Sequence, residues 1–157
     1  MRFQDRTVLI TGGSLGVGLA CARAFFAEGA NVVLVARRQG PLDEAAEALG
    51  DPARVMTAAV DVADLDALGG LVKRCVERFG GLHGVVNNAG VHFRGPVVRR
   101  TPTELASMVD VNLRAPIALC ALALPHLQKD GGFIVNVASL AGKIPLDGAA
   151  TYSCTKF

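Results

Sequence analysis

The stretch "TGGSLGVG", Thr11 to Gly18, closes a short apolar run and opens a longer helical one. Its glycines are Gly12, Gly13, Gly16 and Gly18. A glycine-rich turn that starts a helix lets backbone N–H groups approach a pyrophosphate, and the helix dipole adds positive potential there. The spacing is G-x-x-x-G-x-G and not G-x-G-x-x-G, and no Lys-Ser/Thr pair follows, so it is not a P-loop. Taken alone, such glycines could serve a tight turn and nothing more.

The pattern on either side repeats. "RTVLITGG" (Arg6–Gly13) reads as a strand and Leu15–Glu28 as a helix, with Gly29 just past its end. "NVVLVA" (Asn31–Ala36) is a second strand, Leu42–Leu49 a short helix, and "RVMTAAVD" (Arg54–Asp61) a third strand. Asp64 is placed to cap a helix running to Phe79, which Gly69 and Gly70 weaken. "LHGVVNNAG" (Leu82–Gly90) supplies a fourth strand and a turn. Thr101-Pro102-Thr103-Glu104 has the form of a capping box with proline at the first helical position, opening a long helix towards Leu127. "GFIVNVAS" (Gly132–Ser139) is the fifth strand. Short apolar strands alternating with helices predict a parallel sheet covered on both faces, a doubly wound α/β fold in one domain over residues 1–157.

Composition narrows the function. The chain has 157 residues, 51% hydrophobic, with 18 glycines, 5% aromatics and no tryptophan. A net charge of +2 gives no electrostatic reason to expect nucleic acid or an anionic membrane as partner. The longest apolar run, Ala115–Pro125, is too short to span a bilayer as a helix. Cys21, Cys75, Cys120 and Cys154 are widely spaced and fall in helical segments, so buried free thiols and a cytoplasmic setting are expected, without a metal site.

The chain closes on "TYSCTKF", Thr151 to Phe157. Tyr152 and Lys156 are four apart, which on a helix places a phenol and an ammonium on one face, a pair suited to handling a proton. Together with "TGGSLGVG", "DV" after the third strand, "NNAG" after the fourth, "VN" in the long helix and Ser139 after the fifth, this ordered series resembles the short-chain dehydrogenase/reductase family in its single-domain, non-extended branch. The resemblance runs from Thr11 onward and implies a Rossmann-like fold and an NAD(P)-dependent oxidoreductase acting on a carbonyl/alcohol pair.

The resemblance assigns roles by position. Tyr152 would be the general acid/base, Lys156 would lower its proton affinity and hold the nicotinamide ribose, and Ser139 would orient the substrate oxygen. Asn112 would support a water relay through its backbone carbonyl. The residues add their own argument, because that carbonyl would normally accept from residue 116, which is Pro116 and has no N–H. A kink is expected there. Gly12, Ser14, Gly16 and Gly18 would cradle the phosphates, Asp61 and Val62 would flank the adenine, and Asn88, Ala89 and Gly90 would line the ribose side.

The end of the second strand bears on cofactor choice. An acidic residue there would accept from a ribose 2′-hydroxyl. This chain has Ala36, Arg37 and Arg38, and paired guanidinium groups suit a 2′-phosphate, so NADP is expected over NAD. The family's other basic position, in the glycine loop, is Leu15 here.

Chains of the family continue well past the lysine of Y-x-x-x-K, adding two strands and a substrate lid. The fold is therefore expected to be truncated after the fifth strand and the start of the following helix, with weak NADPH binding and no turnover from the 157 residues by themselves. The helix containing Ala115 to Pro125, apolar nearly all round, is expected to mediate homo-oligomerisation. A non-catalytic dinucleotide-binding fragment or interaction module stands as the alternative reading.

Overall fold

A computed structural model of the chain describes residues 1–144 and 146–156; Pro145 and Phe157, the last residue of the terminal stretch, lie outside them. Five strands form one parallel sheet: β1 (Thr7–Thr11), β2 (Asn31–Ala36), β3 (Val55–Ala59), β4 (Gly84–Asn87) and β5 (Phe133–Asn136). Their order is β3-β2-β1-β4-β5. Val8 stands opposite Val32 on one side and Gly84 on the other. The doubly wound α/β architecture anticipated from the sequence is the fold.

Successive strand residues point to opposite faces, and both faces are covered. Val8, Ile10, Val32 and Leu34 pack on one face, towards helices α1 (Gly16–Ala27) and α2 (Gln39–Leu49). Leu9, Val33, Val35 and Val85 pack on the other, against α3 (Leu65–Phe79) and α5 (Ala115–Lys129). Leu9 and Leu34 are fully buried, and each such leucine contributes roughly 2 kcal/mol of transfer free energy. β5 departs from this pattern: Val135 is 42% exposed, because this edge strand is only half covered.

Local capping fixes several helix starts. Asp64 accepts from the Ala67 N–H at 3.0 Å. Thr101 and Glu104 complete a reciprocal capping box at the start of α4 (Pro102–Val109). α2 begins at Gln39, three residues before the expected Leu42, because Pro41 sits in the first turn, where a missing N–H costs no helical bond.

The long helix loses its regular pattern just before Pro116, where the break was expected. It widens into a π-helical turn, Asp110–Arg114, in which the Ala115 N–H donates to the Asp110 carbonyl. The continuous helical stretch Pro102–Lys129 has 28 residues and, by length and composition alone, is apolar enough to cross a membrane, which the 11-residue apolar run suggested it was not. Here its stripe of Ala115, Leu119, Ala123 and Leu127 is buried against the sheet and α3.

All four cysteines are free, but only Cys75 is fully buried, and burial pushes its thiol up to about 12. Cys154, expected to be buried, is exposed on the short helix α6 (Ala150–Cys154).

Candidate nucleotide cleft and proton-handling site

The strand order reverses direction between β1 and β4, and a crevice opens at their carboxyl ends, where α/β sheets bind ligands. The cleft holds about 320 Å³. Gly12 and Ser14 reach it from the turn after β1, and Arg37 and Arg38 from the turn after β2. Asp61 and Val62 come from the turn after β3, and Ala89 and Gly90 from the turn after β4. Four separate turns thus bring eight of the expected residues together.

The glycine turn is held by close approach. Gly12 has φ +65, and a Cβ on Gly18 would collide with the Gly12 carbonyl. Asn88 braces the same turn and does not line the cleft: its Nδ2 donates to the Thr11 carbonyl at 2.9 Å and the Gly12 carbonyl at 3.2 Å. Thr11, which motif reading passed over, accepts from both the Asn88 and Ala89 N–H groups at 3.0 Å through its buried hydroxyl. Its place directly ahead of the first glycine was the available signal.

Arg37 and Arg38 are exposed, with no ion pair among the described residues. The Asp61 carboxylate accepts from the Ala63 N–H at 3.0 Å, which orders the turn between β3 and α3.

A second cleft, of about 430 Å³, lies between α5, the end of β5 and the last turn. Asn112 and Lys156 border it, and Ala89 borders both clefts, so the two adjoin across the β4 turn. Ser139, Tyr152, Gly16, Gly18 and Asn88 border neither.

Asn112 is buried and fully engaged. Its Oδ1 accepts from the Val91 N–H at 2.8 Å, and its Nδ2 donates to the Val91 carbonyl at 2.9 Å and to Thr155 Oγ1 at 3.1 Å. Ser139 Oγ accepts from the Ala141 N–H at 3.2 Å, starting a 3₁₀ turn, Leu140–Gly142.

Tyr152 lies on α6, which ends two residues before Lys156, so the pair shares only a turn and not a continuing helix. Lys156 Nζ stands 5.9 Å from the phenol centroid and donates to the Val137 carbonyl at 3.2 Å. The phenol hydroxyl makes no hydrogen bond to a described residue.

One neighbour was not anticipated. The imidazole of His92 stacks on the Tyr152 ring, centroids 4.0 Å apart and planes 14° from parallel. Burial first, and then the Arg94 guanidinium, pull that imidazole below its usual titration range. Nothing in the motifs marks His92.

Known proteins resemble this chain over nearly its whole length. Residues 6–157 match the family model for short chain dehydrogenases. The chain is similar to a meso-2,3-butanediol dehydrogenase of Serratia marcescens, with 37% identity over 99% of this chain and 62% of the relative. It is also similar to an L-fucose dehydrogenase of Rattus norvegicus, with 37% identity over 99% of this chain and 57% of that protein. Among solved structures, a short-chain dehydrogenase/reductase (glucose/ribitol dehydrogenase) from Brucella melitensis superposes with a TM-score of 0.94 at 35% identity, covering 99% of this chain and 65% of the other. A metagenomic short-chain oxidoreductase in complex with NADP superposes with a TM-score of 0.93 at 32% identity, covering 99% and 72%. The chain therefore spans about three fifths of the length of the two curated relatives.

Proposed function

The chain belongs to the short-chain dehydrogenase family, and on that premise we propose that it serves an oxidoreductase moving a hydride between a nicotinamide dinucleotide, NADP in preference to NAD, and a carbonyl or alcohol. One observation carries the reading: four β–α turns bring Gly12, Ser14, Arg37, Arg38, Asp61, Val62, Ala89 and Gly90 to one cleft at the switch point of the sheet.

The residues present fit such a dinucleotide. Gly16, at φ +53, has open space where a Cβ would stand, leaving the start of α1 approachable by phosphate. Gly12, Ser14 and Gly18 complete that turn. Arg37 and Arg38, unpaired among the described residues, offer planar donors to a 2′-phosphate. Asp61 and Val62 would flank the adenine, and Ala89 and Gly90 the ribose, with Asn88 holding the turn in place.

When bound, the dinucleotide supplies or receives the hydride. The protein handles the proton: Tyr152 Oη gives it to, or takes it from, the substrate oxygen. Ser139 Oγ has its hydroxyl hydrogen free to orient that oxygen. Lys156 spends one donor on Val137, which leaves two for the nicotinamide ribose. The Asn112 carbonyl, opposite a proline one helical turn on, is available to a water relay. The names of the relatives, a butanediol and a fucose dehydrogenase, support an alcohol as the reduced substrate.

Exposed Leu113, Ile117 and Leu124 along the long helix form the surface through which copies of the protein associate. Four free thiols suit a reducing cytoplasm.

Competitive titration of NADPH and NADH tests the cofactor reading. NADPH binds more tightly, and Arg37→Asp narrows or reverses the preference by setting a repulsive charge against the phosphate. Equal affinities unchanged by that substitution would sink it.

A further inference from the structure

We propose that His92 is a positioning residue for Tyr152, its imidazole face fixing the direction in which the phenol hydroxyl points. The proposal rests on the reading of Tyr152 as the proton donor and acceptor. It concerns how the phenol is held still.

Tyr152 has little support of its own. The phenol hydroxyl has no hydrogen-bond partner among the described residues, and Lys156 Nζ, bonded to Val137, stands 5.9 Å from the ring centroid. Among the described residues the ring's one aromatic contact is His92, at 4.0 Å and 14°. A near-parallel ring at that spacing restricts the swing of the phenol and leaves its edge free to meet a substrate oxygen.

The imidazole is itself anchored on both sides. One residue before it, the Val91 N–H and carbonyl are both held by the Asn112 amide, at 2.8 and 2.9 Å. Three residues after it, the Gly95 N–H donates to the Gly148 carbonyl at 2.8 Å, just ahead of α6. Asn112 also donates to Thr155 Oγ1, and Thr155 donates to the Tyr152 carbonyl at 2.8 Å. The contacts close a ring: Asn112 to Val91, His92 to Tyr152, Thr155 back to Asn112. One buried amide therefore holds both members of the stack in register.

The stack does not depend on a hydrogen bond from the imidazole Nε2. That nitrogen is buried and has no partner among the described residues, an arrangement that favours stability less than a plain aromatic would. What the position uses is the flat face. A phenylalanine should serve it and an alanine should not.

Tyr152 is the sole tyrosine of these 157 residues, which hold no tryptophan, so in the 157-residue chain the tyrosine band in near-ultraviolet circular dichroism reports one ring. The experiment compares wild type, His92→Ala and His92→Phe by that band, with thermal unfolding and NADPH binding alongside. It adds kcat and KM for the full-length protein, with Tyr152→Phe as reference. His92→Ala is expected to lose most of the tyrosine band and to lower kcat about 10- to 100-fold, as misplacement by an ångström does. NADPH affinity should stay within about twofold, and His92→Phe should restore both band and kcat. A tyrosine band unchanged in His92→Ala, or lost equally in His92→Phe, overturns the proposal. So does an unchanged kcat in His92→Ala when Tyr152→Phe is inactive. If Tyr152→Phe itself remains active, the catalytic reading fails, and the dichroism alone decides whether His92 orders the ring.

Discussion

Asn112 Nδ2 donates to Thr155 Oγ1 at 3.1 Å, joining the π-helical turn to the end of α6 across 43 residues of sequence. The same side chain clamps both backbone groups of Val91. Replacing it by alanine leaves the part-buried Val91 N–H and carbonyl without this partner and removes the donor to Thr155 Oγ1, which keeps its own bond to the Tyr152 carbonyl. We expect Asn112→Ala to cost about 2–3 kcal/mol of stability, since an orphaned buried polar group costs roughly 1–3 kcal/mol. The urea midpoint reads this directly. A loss below about 0.5 kcal/mol, the range of ordinary surface changes, would show that the amide is not a structural tie.

Two glycines should respond in opposite directions. Gly69 lies inside α3, and a Cβ there would meet nothing within 4 Å. Gly69→Ala should therefore raise stability by roughly 0.5–1 kcal/mol through helix propensity. Gly18→Ala would drive its methyl into the Gly12 carbonyl and to 2.6 Å from Asn88 Nδ2. It should cost about 1–3 kcal/mol and weaken NADPH binding as the glycine turn is pushed open. Equal melting temperatures for the two variants would refute the contrast.

Acid should loosen the start of the sheet. His83 Nδ1 accepts from the Thr7 N–H at 2.9 Å, which requires that nitrogen to be unprotonated. Burial and then Arg6 pull the imidazole below its ordinary value of 6.5, against the opposing pull of Asp130. The unfolded chain thus takes up the proton first as pH falls, so stability is full above pH 6.5 and declines below it. His92, lowered for a similar reason, adds to the same slope. Unfolding free energy followed downward from neutral pH should fall, and His83→Gln, which has no titration, should flatten part of the decline. A profile identical in wild type and variant would remove His83 from the account.

The proton chemistry makes a graded prediction. Tyr152→Phe removes only the ionisable hydroxyl, so the full-length protein should lose nearly all turnover while keeping its cofactor affinity. Pro116→Ala returns an N–H donor that competes for the Asn112 carbonyl, and should lower turnover more mildly. Steady-state rates for both variants, beside their NADPH affinities, check the order. A Tyr152→Phe protein with most of its rate intact would reassign the acid/base.

Much of this protein is legible in its sequence, because much of it is local. The Asp64 cap and the Thr101–Glu104 box each join residues three apart, so the pattern of letters is nearly the geometry itself. Uninterrupted apolar strands require cover on two faces, which sets the fold class. The glycine turn and the arginines after β2 stood out for the same reason: chemistry and spacing coincide within a few residues.

Only the tertiary structure decided what depends on distant segments meeting. β4 lies beside β1 and not β3, which places "NNAG" against the glycine turn and gives Asn88 to that turn, 77 residues away from Thr11. Pro116 announced a break in the long helix, but that the widened turn there carries Asn112 to Val91 on one side and Thr155 on the other was not legible. His92 carries no motif, and its value arises from a loop pinned 60 residues away from the tyrosine it covers. The sequence determines which groups can bond. The fold determines which are brought within a few ångströms, because hydrogen bonds and ring contacts act only at that range.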